Sequence, residues 1–158
     1  MTEQQEASRE AVMTRIGQAV ILLHGGDREE ARNRFGMLWS EIGEHGDALH
    51  RCTLAHYMAD AQDDPDDELA WDLRALTAAG ALADGRDGEH RDFSAVRSLY
   101  PSLHLNLAAD YLRLHRPDAA RDHLDRARAA ARGLDHAGHD GGVRDAIDRL
   151  ERTMRHEH

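Results

Sequence analysis

Lysine is absent from this 158-residue chain, cysteine occurs once, and aromatic residues make up only 4% of it. Because Cys52 is the single cysteine, an internal disulfide is excluded and a cysteine-based zinc site could use one thiolate at most. Few aromatic residues, abundant alanine and leucine and 32% charged residues disfavour a β-sheet and favour closely packed helices. We therefore predict an all-α protein that forms a single domain over residues 1–158.

The balance of charge limits the classes of partner. Thirty acidic residues outnumber 20 basic residues, all of them arginine, which gives a formal net charge of −10. Nucleic acid would meet electrostatic repulsion over most of such a surface. Exclusive use of arginine is typical of a GC-rich bacterial genome. No apolar run approaches the ~20 residues that span a bilayer, and the polar N-terminus does not resemble a signal peptide. We expect a cytoplasmic protein that binds neither nucleic acid nor membranes.

Apolar residues recur at helical spacing in about seven segments, most of which are separated by glycine or proline. Thr2 with Gln5 and Asp27 with Glu30 are capping signatures for the first two helices, and Asp47 is a capping residue for the third. These patterns predict three helical hairpins at about 3–44, 47–83 and 98–133, a linker at about 84–97, and a terminal helix at about 142–156.

The acidic run at 63–68 has two interpretations. It lacks the alternating oxygen ligands, central glycine and distal glutamate of a calcium loop. Asp64 as the cap, Pro65 in the first turn and acidic residues near the positive end of the dipole instead predict a helix start. The fourth helix then carries an apolar face, which we predict to consist of Leu69, Leu73, Leu76 and Ala79.

The three hairpins share one internal spacing. In the third, Tyr111 is followed nine residues later by Ala120, and Leu124 and Ala127 come four and then three residues further on. The second helices of the first two hairpins repeat the spacing of four and then three, with Ala31, Phe35 and Leu38, and with Leu69, Leu73 and Leu76.

This pattern resembles the tetratricopeptide repeat (TPR), a helix–turn–helix unit of about 34 residues with small residues where its helices cross. The resemblance covers roughly residues 9–133. It implies an α-solenoid of about three TPR-like hairpins with the terminal helix as a cap, because stacked units need a lid on the last apolar face.

The resemblance also implies a concave groove formed by the first helix of each hairpin, able to hold a partner's peptide or helix. An apolar segment of a partner, a second copy of the chain, or the chain's own terminal helix could occupy it. Mapped onto this sequence, the groove residues are Ile16, Val20, Cys52, His56, Leu105, Asn106 and Ala109.

Catalytic and metal signatures are weak by comparison. Cys52 and His56 are four residues apart and share a helical face, but a third metal ligand is missing, so we predict no metal site and no cofactor. No phosphate-binding glycine loop or nucleophile elbow occurs. We expect a non-catalytic protein-binding adaptor or scaffold. The alternatives are a small-molecule-handling or metal-dependent enzyme centred on His56 and Cys52, with His104 or Asn106 nearby, and an orphan ligand-sensing regulatory module.

Overall fold

The structure is a computed structural model that describes residues 2–83, 93–133 and 141–156. Within those ranges it contains seven helices and no strand, which confirms the all-α prediction. In the same ranges, no helix combines the length and apolar character needed to cross a membrane. The helices are α1 (Glu3–His24), α2 (Arg28–Ile42), α3 (Ala48–Asp60), α4 (Pro65–Ala83), α5 (Phe93–Arg113), α6 (Pro117–Arg132) and α7 (Gly141–His156).

Three of the predicted helix starts are formed as expected. Thr2 and Gln5 make a reciprocal capping box, with hydrogen bonds of 2.9 and 3.2 Å. The Asp47 carboxylate accepts hydrogen bonds from two backbone N–H groups in the first turn of α3. Asp64 accepts one from the N–H of Asp66 at 2.8 Å, at the start of α4. The acidic run at 63–68 therefore includes a helix start, as the proline and the first-turn acids predict.

The predicted capping pair at the start of α2 is wrong. The Asp27 side chain makes no capping hydrogen bond. Glu30 lies 3.0 Å from Nε of Arg34, one turn further along the helix, so its carboxylate is engaged with a charged donor instead of the cap backbone. At the other end of α2, Gly43 has a φ of +71°, a conformation that favours glycine and ends the helix where the sequence predicts.

The buried face of α4 differs from the predicted one. Leu73 is 37% exposed, whereas Asp72 is 1% exposed and lies among the buried residues of the helix. Leu69 and Ala79 of the predicted face are buried as expected, and Ala75, Ala78 and Leu82 are buried with them. An alanine-rich helix offers more than one apolar stripe, and packing selects one that buries Asp72 and turns Leu73 toward solvent.

Helix α5 begins at Phe93, before the predicted start at residue 98, so the end of the predicted linker at 84–97 is helical. The remainder of that linker, residues 84–92, lies outside the described residues. Pro101 is consequently inside the helix, where it cannot donate to the carbonyl of Arg97, and its ring is fully buried.

Each helix packs mainly against the helices that precede and follow it in the chain, and α7 packs against both α5 and α6. Phe35 and Leu54 occupy the centre of an apolar cluster at the N-terminal end. Ile147 and Met154 of α7 are buried in a second cluster with Leu124 of α6. Helix α7 thus covers the apolar side of α5 and α6, and α4 and α5 form the junction between the two ends of the protein.

Candidate functional site

The predicted groove residues divide into two groups. Ile16 and Cys52 are 2% and 1% exposed and belong to the core, so they cannot contact a partner directly. The other five are half-buried at positions on α1, α3 and α5, which leaves part of each side chain accessible; they are Val20, His56, Leu105, Asn106 and Ala109.

Two of these half-buried residues join α3 to α5. Nδ2 of Asn106 lies 3.2 Å from Nδ1 of His56, although the residues are 50 positions apart. The amide NH₂ is placed to donate to the imidazole in the tautomer whose Nδ1 carries no proton. The sequence places these two residues near one another, and the structure joins them.

The Cys52 thiol is unsuited to nucleophilic chemistry. Burial raises the pKa of the thiol to about 12, so the reactive thiolate is scarce at neutral pH. The thiol lies in an apolar cluster that includes Ala55, Ala75 and Leu103. Cys52 therefore acts as a small packing residue, and an active centre built on Cys52 and His56 lacks its nucleophile.

A buried group of carboxylates lies at the junction of α4 and α5. Glu68 and Asp72 are one turn apart on α4, and Asp110 approaches them from α5. Each residue offers a carboxylate oxygen, and these oxygens all lie within 4.8 Å of one another. Asp72 and Asp110 are 1% and 0% exposed. We call these three residues the carboxylate cluster.

Arg113 partly neutralises the carboxylate cluster. The guanidinium of Arg113 contacts Oε1 of Glu68 and lies 3.0 Å from Oδ1 of Asp110. Both oxygens of Asp72 and Oδ2 of Asp110 are buried and accept no hydrogen bond from any donor among the described residues. Unpartnered buried carboxylate oxygens are costly, so each requires a physical explanation.

The surroundings favour the protonated form of the two buried acids. Burial is the largest cause that raises the pKa of Asp72 and of Asp110, and the nearby charge of Glu68 raises both further. Asp72 and Asp110 can form a hydrogen bond to each other only when one of the two carboxyl groups carries a proton. Asp60, at the end of α3, adds a further negative charge that acts on Asp72.

The carboxylate cluster was not predicted from the sequence, although one pattern indicates it. Asp110 stands three residues after Leu107 and seven after Leu103, on the side of α5 that carries the core residues. Asp72 stands three residues after the buried Leu69. An aspartate at a core position in two neighbouring helices is unusual, because such residues are rarely buried without partners.

A pair of histidines forms a second polar contact between helices. Nδ1 of His104 on α5 lies 3.0 Å from Nδ1 of His123 on α6, so one ring donates and the other accepts. Tyr100 stacks on the first ring and Tyr111 on the second. Burial lowers the pKa of His104 to about 4 and also lowers that of His123. The pair is therefore held in its neutral form.

Three arrangements in the described residues thus offer polar chemistry: the contact of His56 with Asn106, the carboxylate cluster, and the pair of His104 with His123. Comparisons with protein-family models, with curated proteins and with solved structures each give no match to this chain.

Proposed function

We propose that this chain is a non-catalytic adaptor or scaffold of the cytoplasm that binds a protein or peptide partner. The surface that binds is formed by α1, α3 and α5, and the seven helices form a TPR-like solenoid in which α7 is the cap. The observation that carries the proposal is the 3.2 Å contact between His56 and Asn106, which connects α3 to α5 beside half-buried apolar residues.

The chemistry of this surface favours an apolar segment with a few polar groups. Val20, Leu105 and Ala109 are half-buried, so the accessible parts of their side chains offer apolar contact area. The His56 and Asn106 side chains have hydrogen-bonding capacity left after their mutual contact, because an amide has two N–H donors and an oxygen acceptor. Such a surface suits an extended peptide or one face of a helix.

The net charge of −10 limits the classes of partner that could bind. A neutral or basic protein segment would approach without repulsion, whereas an acidic one would be disfavoured at low ionic strength. Nucleic acid remains an unsuitable partner for the same reason. No cofactor is required for a function of this class.

The proposal is tested by comparing two variants in which different alanines are replaced by arginine. Ala109→Arg places a long charged side chain on the proposed surface, and Ala129→Arg places one on the exposed side of α6. We expect the wild type and A129R to capture the same proteins, and A109R to capture at least about tenfold less of each. The reason is that a buried unpaired charge is costly at an interface. Circular dichroism confirms that each variant is folded.

Asn106→Ala provides a second and smaller perturbation, because it removes the contact with His56 without adding bulk. Equal capture by all three variants and the wild type would contradict the proposal. Sedimentation of the purified chain tests the other occupant, a second copy: a dimer that dissociates in A109R but persists in A129R would assign this surface to self-association instead.

A further inference from the structure

Two facts about the carboxylate cluster are independent of each other. Its oxygens converge, since Glu68, Asp72 and Asp110 each place one within 4.8 Å of the others. Separately, both oxygens of Asp72, a residue 1% exposed, are buried without a hydrogen-bond donor among the described residues. Convergence alone is common among acidic groups, but a buried carboxylate with neither oxygen partnered requires either a proton or a cation that can reach it.

We infer that Glu68, Asp72 and Asp110 bind one hard divalent cation, of the class of Mg²⁺, Mn²⁺ or Ca²⁺, between α4 and α5. The inference does not depend on the proposed partner-binding surface. It adds a site that the sequence, read for histidine and cysteine ligands, did not predict.

The spacing of the oxygens suits this class of ion. Hard divalent cations bind oxygen at about 2.1 Å for Mg²⁺ and about 2.3–2.6 Å for Ca²⁺. Two oxygens on one such ion are therefore about 3 Å apart when adjacent and about 4 to 5 Å apart when opposite. The limit of 4.8 Å within the cluster falls in that range. A ligand set made only of carboxylates favours these ions over zinc or copper, which prefer nitrogen and sulfur.

Arg113 leaves the inner oxygens of the cluster free. Its guanidinium contacts Oε1 of Glu68 and Oδ1 of Asp110 and so orients both carboxylates. Oδ2 of Asp110 and both oxygens of Asp72 are not engaged by it. The arginine thus acts as a positioning residue that holds two ligands while their remaining oxygens are available for the cation.

Arg113 alone does not neutralise the charge of the three carboxylates. Three ionised carboxylates and one guanidinium leave two negative charges, which one divalent cation cancels. A shared proton is the competing solution, but it neutralises one charge and supplies one donor for three unpartnered oxygens. The proton and the cation cannot occupy the cluster together, so binding of the cation displaces the proton. The affinity for the cation should therefore rise with pH.

The cluster has an entrance on one side. The Glu68 side chain is 17% exposed, whereas Asp72 and Asp110 are enclosed. Glu68 lies in the first turn of α4, beside the exposed acidic residues of 63–67, which attract cations toward the entrance. Water on the Glu68 side would complete the coordination. A cation bound there would join α4 to α5 and stabilise the junction between the two ends of the protein.

The test is a titration of the metal-free chain with Mn²⁺ by isothermal calorimetry, repeated with Mg²⁺ and Ca²⁺. We expect one Mn²⁺ per chain, with affinity that increases with pH and with a heat that changes between buffers because about one proton is released. Asp72→Asn keeps the shape of the side chain and removes its charge. It should reduce the affinity at least about tenfold, as should Asp110→Asn.

Asp67→Asn is the matched control, because it removes one exposed acid from the same turn of α4 and leaves the cluster intact. Unchanged affinity in D67N and reduced affinity in D72N support the inference. If D72N is folded and binds Mn²⁺ as tightly as the wild type, or if the wild type binds none at alkaline pH, the inference is wrong. Should D72N fail to fold, Glu68→Gln at the entrance provides the same comparison.

Discussion

Asp72 on α4 and Asp110 on α5 bring carboxylate oxygens within 4.8 Å of each other, and both residues are almost completely buried. The two acids come from consecutive helices that are separated along the chain by residues 84–92. Their approach adds electrostatic repulsion to the junction of α4 with α5 unless a proton or a cation is held between them. This relationship leads to a prediction about the dependence of stability on pH.

The wild-type chain, in the presence of a chelator, should lose stability as the pH rises above neutrality. Burial raises the pKa of Asp72 in the folded state, so the folded chain holds a proton that the unfolded chain has released. The free energy of unfolding then decreases with pH, by up to about 1.4 kcal/mol per pH unit, until the folded acid ionises. Urea denaturation between about pH 7 and pH 9 measures this slope.

Asp72→Asn should remove most of that alkaline slope, since asparagine does not titrate, while Asp67→Asn should keep it. A wild type whose stability is constant over the same range, or a slope that persists in D72N, would show that Asp72 is not the group responsible.

The histidine pair predicts the opposite dependence in acid. Below about pH 6.5 the unfolded chain gains a proton at position 104, which the folded chain does not gain until about pH 4. The free energy of unfolding attributable to His104 therefore falls as the pH decreases through that window, by about 1 to 3 kcal/mol in total.

His104→Gln should abolish this contribution while keeping an amide that can bond to His123. His45→Gln, at an exposed position, is the control. The buried acids oppose the effect in the same window, so the quantity to compare is the difference between each variant and the wild type. Parallel curves for the wild type and H104Q would contradict the prediction.

Cys52 should be unreactive in the folded protein. Its burial, and a thiol pKa raised to about 12, suppress both access and the thiolate form. Labelling by a thiol reagent at neutral pH should be at least about a hundredfold slower than in the denatured chain, and should accelerate with denaturant as the protein opens. Rapid labelling of the native protein would restore Cys52 as a candidate nucleophile.

Helix α7 should contribute to global stability. Ile147 is 1% exposed and packs in the cluster formed with α6, so Ile147→Ala should destabilise the protein by about 2 to 5 kcal/mol. Arg149→Ala, an exposed change on the same helix, should cost less than about 0.5 kcal/mol. Equal midpoints of urea denaturation for the two variants would show that α7 is not docked.

Periodicity and capping patterns predicted most of the helices because their causes are local. Thr2 and Gln5 form their capping box within one turn, and Asp47 and Asp64 accept hydrogen bonds from the turns that follow them. The start of α5 was predicted at residue 98, close to Pro101, whereas the helix begins at Phe93 and continues through the proline. A proline excludes one hydrogen bond and does not by itself define a helix end.

The carboxylate cluster could not be predicted from these local patterns. Whether Leu73 or Asp72 faces inward depends on how α4 rotates against its neighbours, and an alanine-rich helix fits either rotation. The meeting of Asp72 with Asp110 further depends on the register of α4 against α5. The proximity of His56 and Asn106 was predicted, because both residues were assigned to the same groove, and their side chains approach to 3.2 Å.

The most direct test of a cation between α4 and α5 is the carboxyl ¹³C chemical shift of every aspartate and glutamate during a titration with Mg²⁺. We predict that the carboxyl carbons of Glu68, Asp72 and Asp110 shift together along one saturation curve, while those of the exposed acids at positions 63–67 change weakly and without saturation. Shifts that saturate at positions 63–67 while Asp72 and Asp110 remain unchanged would contradict the account.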